Sequence, residues 1–161
     1  MARGPDPSVW LERILPEEFP GAIREVFDFL CRDHGFREPV IERTPLTLCL
    51  SYRARRVAVE VNVEFRDRAV EVALVWLSEG KRPDGWKIDA AGRQIMIRLF
   101  EAEWHRKVPS PKATISDHAA PHDMLRMWLE AWAEQLRVHF ADVLADSDAL
   151  FVELNRTRRK G

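Results

Sequence analysis

Between Leu46 and Leu77 the chain alternates apolar and polar residues three times over. One set contains Leu46, Leu48, Leu50 and Tyr52, then Val57, Val59, Val61, Val63 and Phe65, then Val70, Val72, Leu74 and Trp76. A period of two sustained over runs this long marks strands with one buried face, and leaves little else for the segment to form. Three antiparallel strands are predicted, at about 46–52, 57–65 and 70–77, with 57–65 in the centre.

Polar hairpin loops at Arg53–Arg56 and Arg66–Ala69 predict a register. Tyr52 would face Val57 and Phe65 would face Val70. Further out, Leu50 meets Val59, Leu48 meets Val61, Val61 meets Leu74 and Val59 meets Trp76. A slip of one residue would turn the apolar set into water, so the faces are strongly specified.

The remaining chain supplies helices. Ser8 can cap a short one from Val9 to Leu15. The next is predicted over 18–34, with Phe19, Ile23, Val26, Phe27 and Leu30 at helical spacing, Pro20 in its first turn and Gly35 as a left-handed cap. Val40 and Ile41 suit an extended segment. Residues 78–87, SEGKRPDGWK, form a long turn. Over 88–105 the signals compete: Ile95, Ile97 and Leu99 alternate, whereas Ala90, Ala91, Arg93, Gln94 and Glu101 favour a helix capped by Asp89, with Met96, Leu99, Phe100 and Trp104 on one side. The helix is preferred. A long helix over 121–145 carries the stripe Leu125, Trp128, Leu129, Trp132, Leu136, Phe140, Val143 and Leu144. A last short one is expected to end near Asn155. The fold class is therefore α+β: an antiparallel meander with one face covered by helices 18–34 and 121–145. On this reading Val61→Asp unfolds the protein and Glu60→Ala does not.

The chain has 161 residues, 46% hydrophobic and 32% charged, which fits a single domain with one core, residues 1–7 and 156–161 being flexible tails. No apolar run is long enough to span a membrane, and no secretory leader is evident, so a cytoplasmic location is expected. Cys31 and Cys49 read as buried thiols. The net charge of −1 argues against nucleic acid as a partner, although the tail Arg156–Lys160 is basic.

The second face of the sheet carries the candidate site: Thr47, Cys49 and Ser51; Ala58, Glu60, Asn62 and Glu64; Glu71, Ala73, Val75 and Leu77. In the register above Glu64 faces Glu71, and like charges so placed repel. Glu60, Glu64 and Glu71 then form an acidic binding face, or a carboxylate set for a divalent cation. Ala73, Val75 and Leu77 are too apolar for open water, so another element or another protein should cover that end. Lys81, Arg82 and Trp86 on the long turn can anchor a partner, Trp and Arg being enriched in interfaces. His118 and His122 are four apart, but Pro121 between them breaks the helical spacing a zinc site would use. Glu101 and His105 share that spacing. No nucleophile motif or phosphate loop is present.

The layout of helix, meander and long C-terminal helix without a catalytic signature resembles that of small bacterial accessory and immunity proteins. That resemblance implies a non-enzymatic protein-binding module, using an acidic surface against a basic partner or a second copy of itself. The alternative is a small enzyme or ligand or metal binder using the carboxylates of the second face. No cofactor and no resident metal are expected.

Overall fold

The computed structural model describes residues 11–111 and 120–159. The expected helix at Val9–Leu15 falls partly outside them, as do Trp10 and His118. A single turn at Pro16–Glu18 leads into α1 (Phe19–Phe27), and Asp28 separates α1 from α2 (Phe29–His34). Gly35, at φ 72°, ends α2, and the Phe36 N–H reaches back to the Leu30 carbonyl at 3.0 Å. The left-handed glycine is the closure predicted for this helix.

Five antiparallel strands follow in meander order: β1 (Val40–Arg43), β2 (Thr47–Arg53), β3 (Val57–Glu64), β4 (Ala69–Trp76) and β5 (Met96–Arg98). The extended segment at Val40 and Ile41 is thus an edge strand, flanked by Pro39 and Pro45, which blunt it against further pairing. The helix preferred over 88–105 forms only from Leu99: Ala90, Ala91, Arg93 and Gln94 lie in a turn, and the alternating residues around Ile97 form β5. After β5 the chain turns directly into α3 (Leu99–Arg106). Asp89 caps no helix; it closes a turn, accepting the N–H groups of Ala91 at 3.0 Å and Arg93 at 2.9 Å. The long C-terminal helix is α4 (Pro121–His139), with α5 (Ala141–Leu144) beyond a break at Phe140. The last helix, α6 (Ala149–Arg159), continues past Asn155 into the basic run.

The apolar face packs as expected. Leu48, Leu50, Tyr52, Val57, Val59, Val61, Val63, Val72 and Leu74 are buried in one cluster with Phe19, Ile23 and Phe27 of α1 and with Leu125, Leu129 and Leu136 of α4. Each such side chain contributes about 1.5–3 kcal/mol. Leu46 is the exception: it lies before β2 and is 56% exposed. Phe100 and Trp104 also point outward from α3, which buries Leu99 and Ala102 instead.

The strand pairing differs from the expected register by two residues in both hairpins. Tyr52 faces Val59, Leu50 faces Val61 and Leu48 faces Val63; across the next seam Val61 faces Val72, Val59 faces Leu74 and Val63 faces Val70. A slip of two keeps every side chain on its face, so the alternation alone cannot fix it. The turns do. Phe65 leaves the strand and packs edge-on against Phe19, ring centres 5.8 Å apart, while Arg68 adopts φ 51° to close the second hairpin. The first hairpin is held from far along the chain. The Asp146 carboxylate accepts the N–H groups of Arg55 (3.3 Å), Arg56 (2.7 Å) and Val57 (3.2 Å).

Two substitutions separate these forces. Val61→Asp should abolish the cooperative thermal unfolding transition seen by circular dichroism, because its side chain has no access to water. Asp146→Ala should leave a folded protein less stable by about 1–2 kcal/mol, mainly the cost of stranding the partly buried Val57 amide.

Candidate functional site

Pairing across the sheet arranges the second face in rows. Glu42, Cys49, Asn62 and Glu71 form one row, and Val40, Ser51, Glu60, Ala73 and Arg98 the next. Glu64 pairs with Ala69 and Glu71 with Asn62, so the direct Glu64–Glu71 opposition expected from the sequence does not occur.

Half of this face is covered, and the cover comes from the chain itself. Ala58, Ala73, Val75, Leu77 and Met96 form a second, smaller buried cluster. The segment from Ser78 to Ile95 folds back beside it. Near its start the Gly80 N–H bonds the Arg55 carbonyl (2.7 Å), and at its end the Ile95 carbonyl accepts the Trp76 N–H (2.7 Å). Gly85 is required, since a Cβ there would collide with the Ile88 carbonyl, at a φ of 113°.

This cover decides the fate of Glu60, which is 4% exposed. Both of its carboxylate oxygens lie 2.6 Å from Arg82 Nη1. The sequence places Arg82 on a surface tip available to a partner; in the fold it is the plug over a buried carboxylate. Glu60 therefore offers no open binding group, and Glu60→Ala strands a cation against the sheet rather than passing unnoticed.

Beyond Arg82 the face opens into a groove of about 440 Å³, whose walls include Glu42, Cys49, Glu64, Glu71, Arg82, Trp86 and Arg98. Trp86 stands at its rim, 62% exposed, with Lys87 Nζ 5.5 Å and the Arg98 guanidinium 6.0 Å from its ring centre. Glu71 is paired with Arg98 at 3.2 Å, and Lys87 with Glu101 at 3.3 Å. Glu64 is exposed and lacks a cationic partner within 4 Å among the described residues. A hydrogen bond shared with Asp67 raises its carboxyl above the usual range, with burial and the charges of Asp67 and Glu71 adding and Arg98 opposing. Lys81 lies apart from the groove, in the turn where its N–H and carbonyl bond Ser78.

The other candidate groups go separate ways. Burial, with Glu60 and Glu42 nearby, pushes the Cys49 thiol up to about 12, which removes it as a nucleophile near neutral pH. His122 lies 3.1 Å from Glu18, and His105 lies 3.9 Å from Glu153 while Glu101 turns toward Lys87. Among the described residues no three metal-ligating side chains converge. No helix among them is long and apolar enough to cross a membrane.

One buried group escapes a sequence reading. Glu103 of α3 is 1% exposed, and neither carboxylate oxygen has a well-formed hydrogen bond among the described residues. Burial pushes its carboxyl up to about 7, with Ser110 weakly opposing. In sequence Glu103 looks like any helix-surface glutamate; only the packing of α3 turns it inward. In comparisons with known proteins, no family model, no curated protein and no solved structure matches the chain.

Two results follow from these burials. Arg82→Ala should destabilise the protein by about 2–3 kcal/mol in urea unfolding, since it leaves Glu60 buried alone, and a double replacement of Glu60 and Arg82 by Met should recover most of that loss. Glu103 is raised in the folded state, so its contribution is complete below the unfolded value near 4.5 and is lost as pH rises through about 7. Thermal melts should show stability declining from pH 5 to pH 8, and Glu103→Gln should flatten that slope.

Proposed function

We propose that this protein is a non-enzymatic binding module whose sheet-face groove receives a basic segment of a protein partner. The observation that carries this reading is the state of Glu64. A hydrogen bond shared with Asp67 raises its carboxyl, with the charges of Asp67 and Glu71 adding to it, and the two arginines of the groove are engaged elsewhere: Arg82 by Glu60 and Arg98 by Glu71. An incoming guanidinium or ammonium relieves that repulsion, and Trp86 at the rim offers a ring face to the same cation. Glu64, Glu71 and Trp86 make the contacts; Glu60 and Arg82 hold the wall in place.

An immunity or inhibitor role against a basic protein, in the cytoplasm of a bacterium, is the setting this reading fits. A second copy of the chain, offering its own basic run at 156–160, is the competing source of cations.

Titration of a fluorescent arginine-rich peptide tests the groove. Glu71→Arg and Glu64→Gln should each weaken binding about tenfold or more, the loss of one charge-assisted contact. The anionic form of Glu64 is the one that binds a cation, so affinity should fall as pH drops through its raised pKa. Undiminished binding by the Glu64→Gln, Glu71→Arg double variant would rule the groove out. Sedimentation of the protein alone distinguishes the second-copy source, which requires a dimer that Arg158→Glu disrupts.

A further inference from the structure

Left-handed backbone collects at one place in this fold, away from the acidic groove. Gly35 (φ 72°), Glu79 (φ 49°), Gly80 (φ 79°) and Asp146 (φ 60°) all border a cleft of about 310 Å³ beyond the β2–β3 turn. Arg37, Arg53 and Arg55 stand in its walls.

The backbone under these arginines is fixed. The Arg37 N–H bonds the Arg53 carbonyl at 2.9 Å, and the Gly80 N–H bonds the Arg55 carbonyl at 2.7 Å. Asp146 directs both carboxylate oxygens at the turn amides of residues 55–57. Its charge is therefore committed to the backbone rather than to the guanidinium groups. No carboxylate lies within 4 Å of the guanidinium groups of Arg37, Arg53 or Arg55 among the described residues, whereas Arg82 and Arg98 of the acidic groove are both paired. Arg53 is oriented by a hydrogen bond from its Nε to the Ser51 hydroxyl at 3.1 Å. Glu79 is the one cleft carboxylate left uncommitted, and it would oppose an anion.

We propose that this cleft is an oxyanion site that takes a phosphate group, either free phosphate or the head of a small phosphate monoester. Arg37 and Arg55, on a fixed backbone, offer forks that match a doubly charged, multi-oxygen ligand better than a single carboxylate, with Arg53, turned toward Ser51, adding charge at the edge. No Phe, Tyr or Trp lines the cleft, and its one ring, that of His34, is set edge-on against Phe29.

Isothermal titration of the full chain with inorganic phosphate and with glycerol phosphate, at constant ionic strength, tests the site. Arg37→Ala and Arg55→Ala should each weaken binding roughly tenfold, the loss of one charge-assisted contact. Glu79→Gln should tighten it severalfold. Glu71→Gln, in the separate acidic groove, should leave it unchanged. Tighter binding of glycerol phosphate assigns a phosphorylated small molecule as the ligand, and equal binding assigns the free ion. Absence of saturable binding at millimolar phosphate would overturn the proposal. So would unchanged affinity in an Arg37→Ala, Arg55→Ala double variant whose circular dichroism matches the parent.

Discussion

A carboxylate at the centre of a sheet has to be neutralised, and the way Glu60 meets that demand shapes the whole second face. Its partner is Arg82, carried on the segment between β4 and β5, which Gly80 and Gln94 also tie down, to the Arg55 carbonyl and the Asn155 side chain. Desolvating both groups costs several kcal/mol, so the pair holds only while its geometry is tight. Beside the pair the sheet contributes its own small apolar cluster of Ala58, Ala73, Val75, Leu77 and Met96. Together they divide the face into a covered half and an open half. The boundary between the two is the wall of the groove.

The same economy operates at the ends of the hairpins. Asp146 satisfies three amides of the first turn from a position about ninety residues away, and Phe65 anchors the second turn to α1. The two contacts tie the meander to both helical segments that cover it. They also place charge. The Asp146 cap leaves the arginines around the β2–β3 turn without acidic partners, and the Phe65 turn leaves Glu64 beside Asp67. One end of the molecule is thus locally cationic and one side locally anionic, on a chain with a net charge of only −1.

Much of this was legible in the sequence. Alternation at Leu48, Leu50 and Val57–Val63 identifies the buried face because period two has no other explanation at that length. The apolar run Ala73, Val75, Leu77 signals a cover on the second face. The register was not legible, because a two-residue shift preserves every face and its cost lies in turns held by Phe65 and Asp146. Nor was the identity of the cover, since residues 78–95 carry turn signals rather than a periodic pattern. Glu60, Glu64 and Glu71 look equivalent on paper. In the fold one is buried under Arg82, one is paired with Arg98 at the surface, and one is left in mutual repulsion. Arg37 and Arg55 are just as ordinary in sequence, and only the backbone bonds of Arg37 to Arg53 and of Gly80 to Arg55 bring them to one cleft.

The clamp of Arg82 on Glu60 is the claim on which the divided face rests, and native-state hydrogen exchange tests it most directly. In the Arg82→Ala variant the amides of Trp76 and Ile95, which tie down the covering segment, should lose protection, while Val61 in the core of β3 exchanges only in step with the global loss of stability. Unchanged protection at Trp76 and Ile95 would contradict the account, because the segment would then be held by something other than the buried pair.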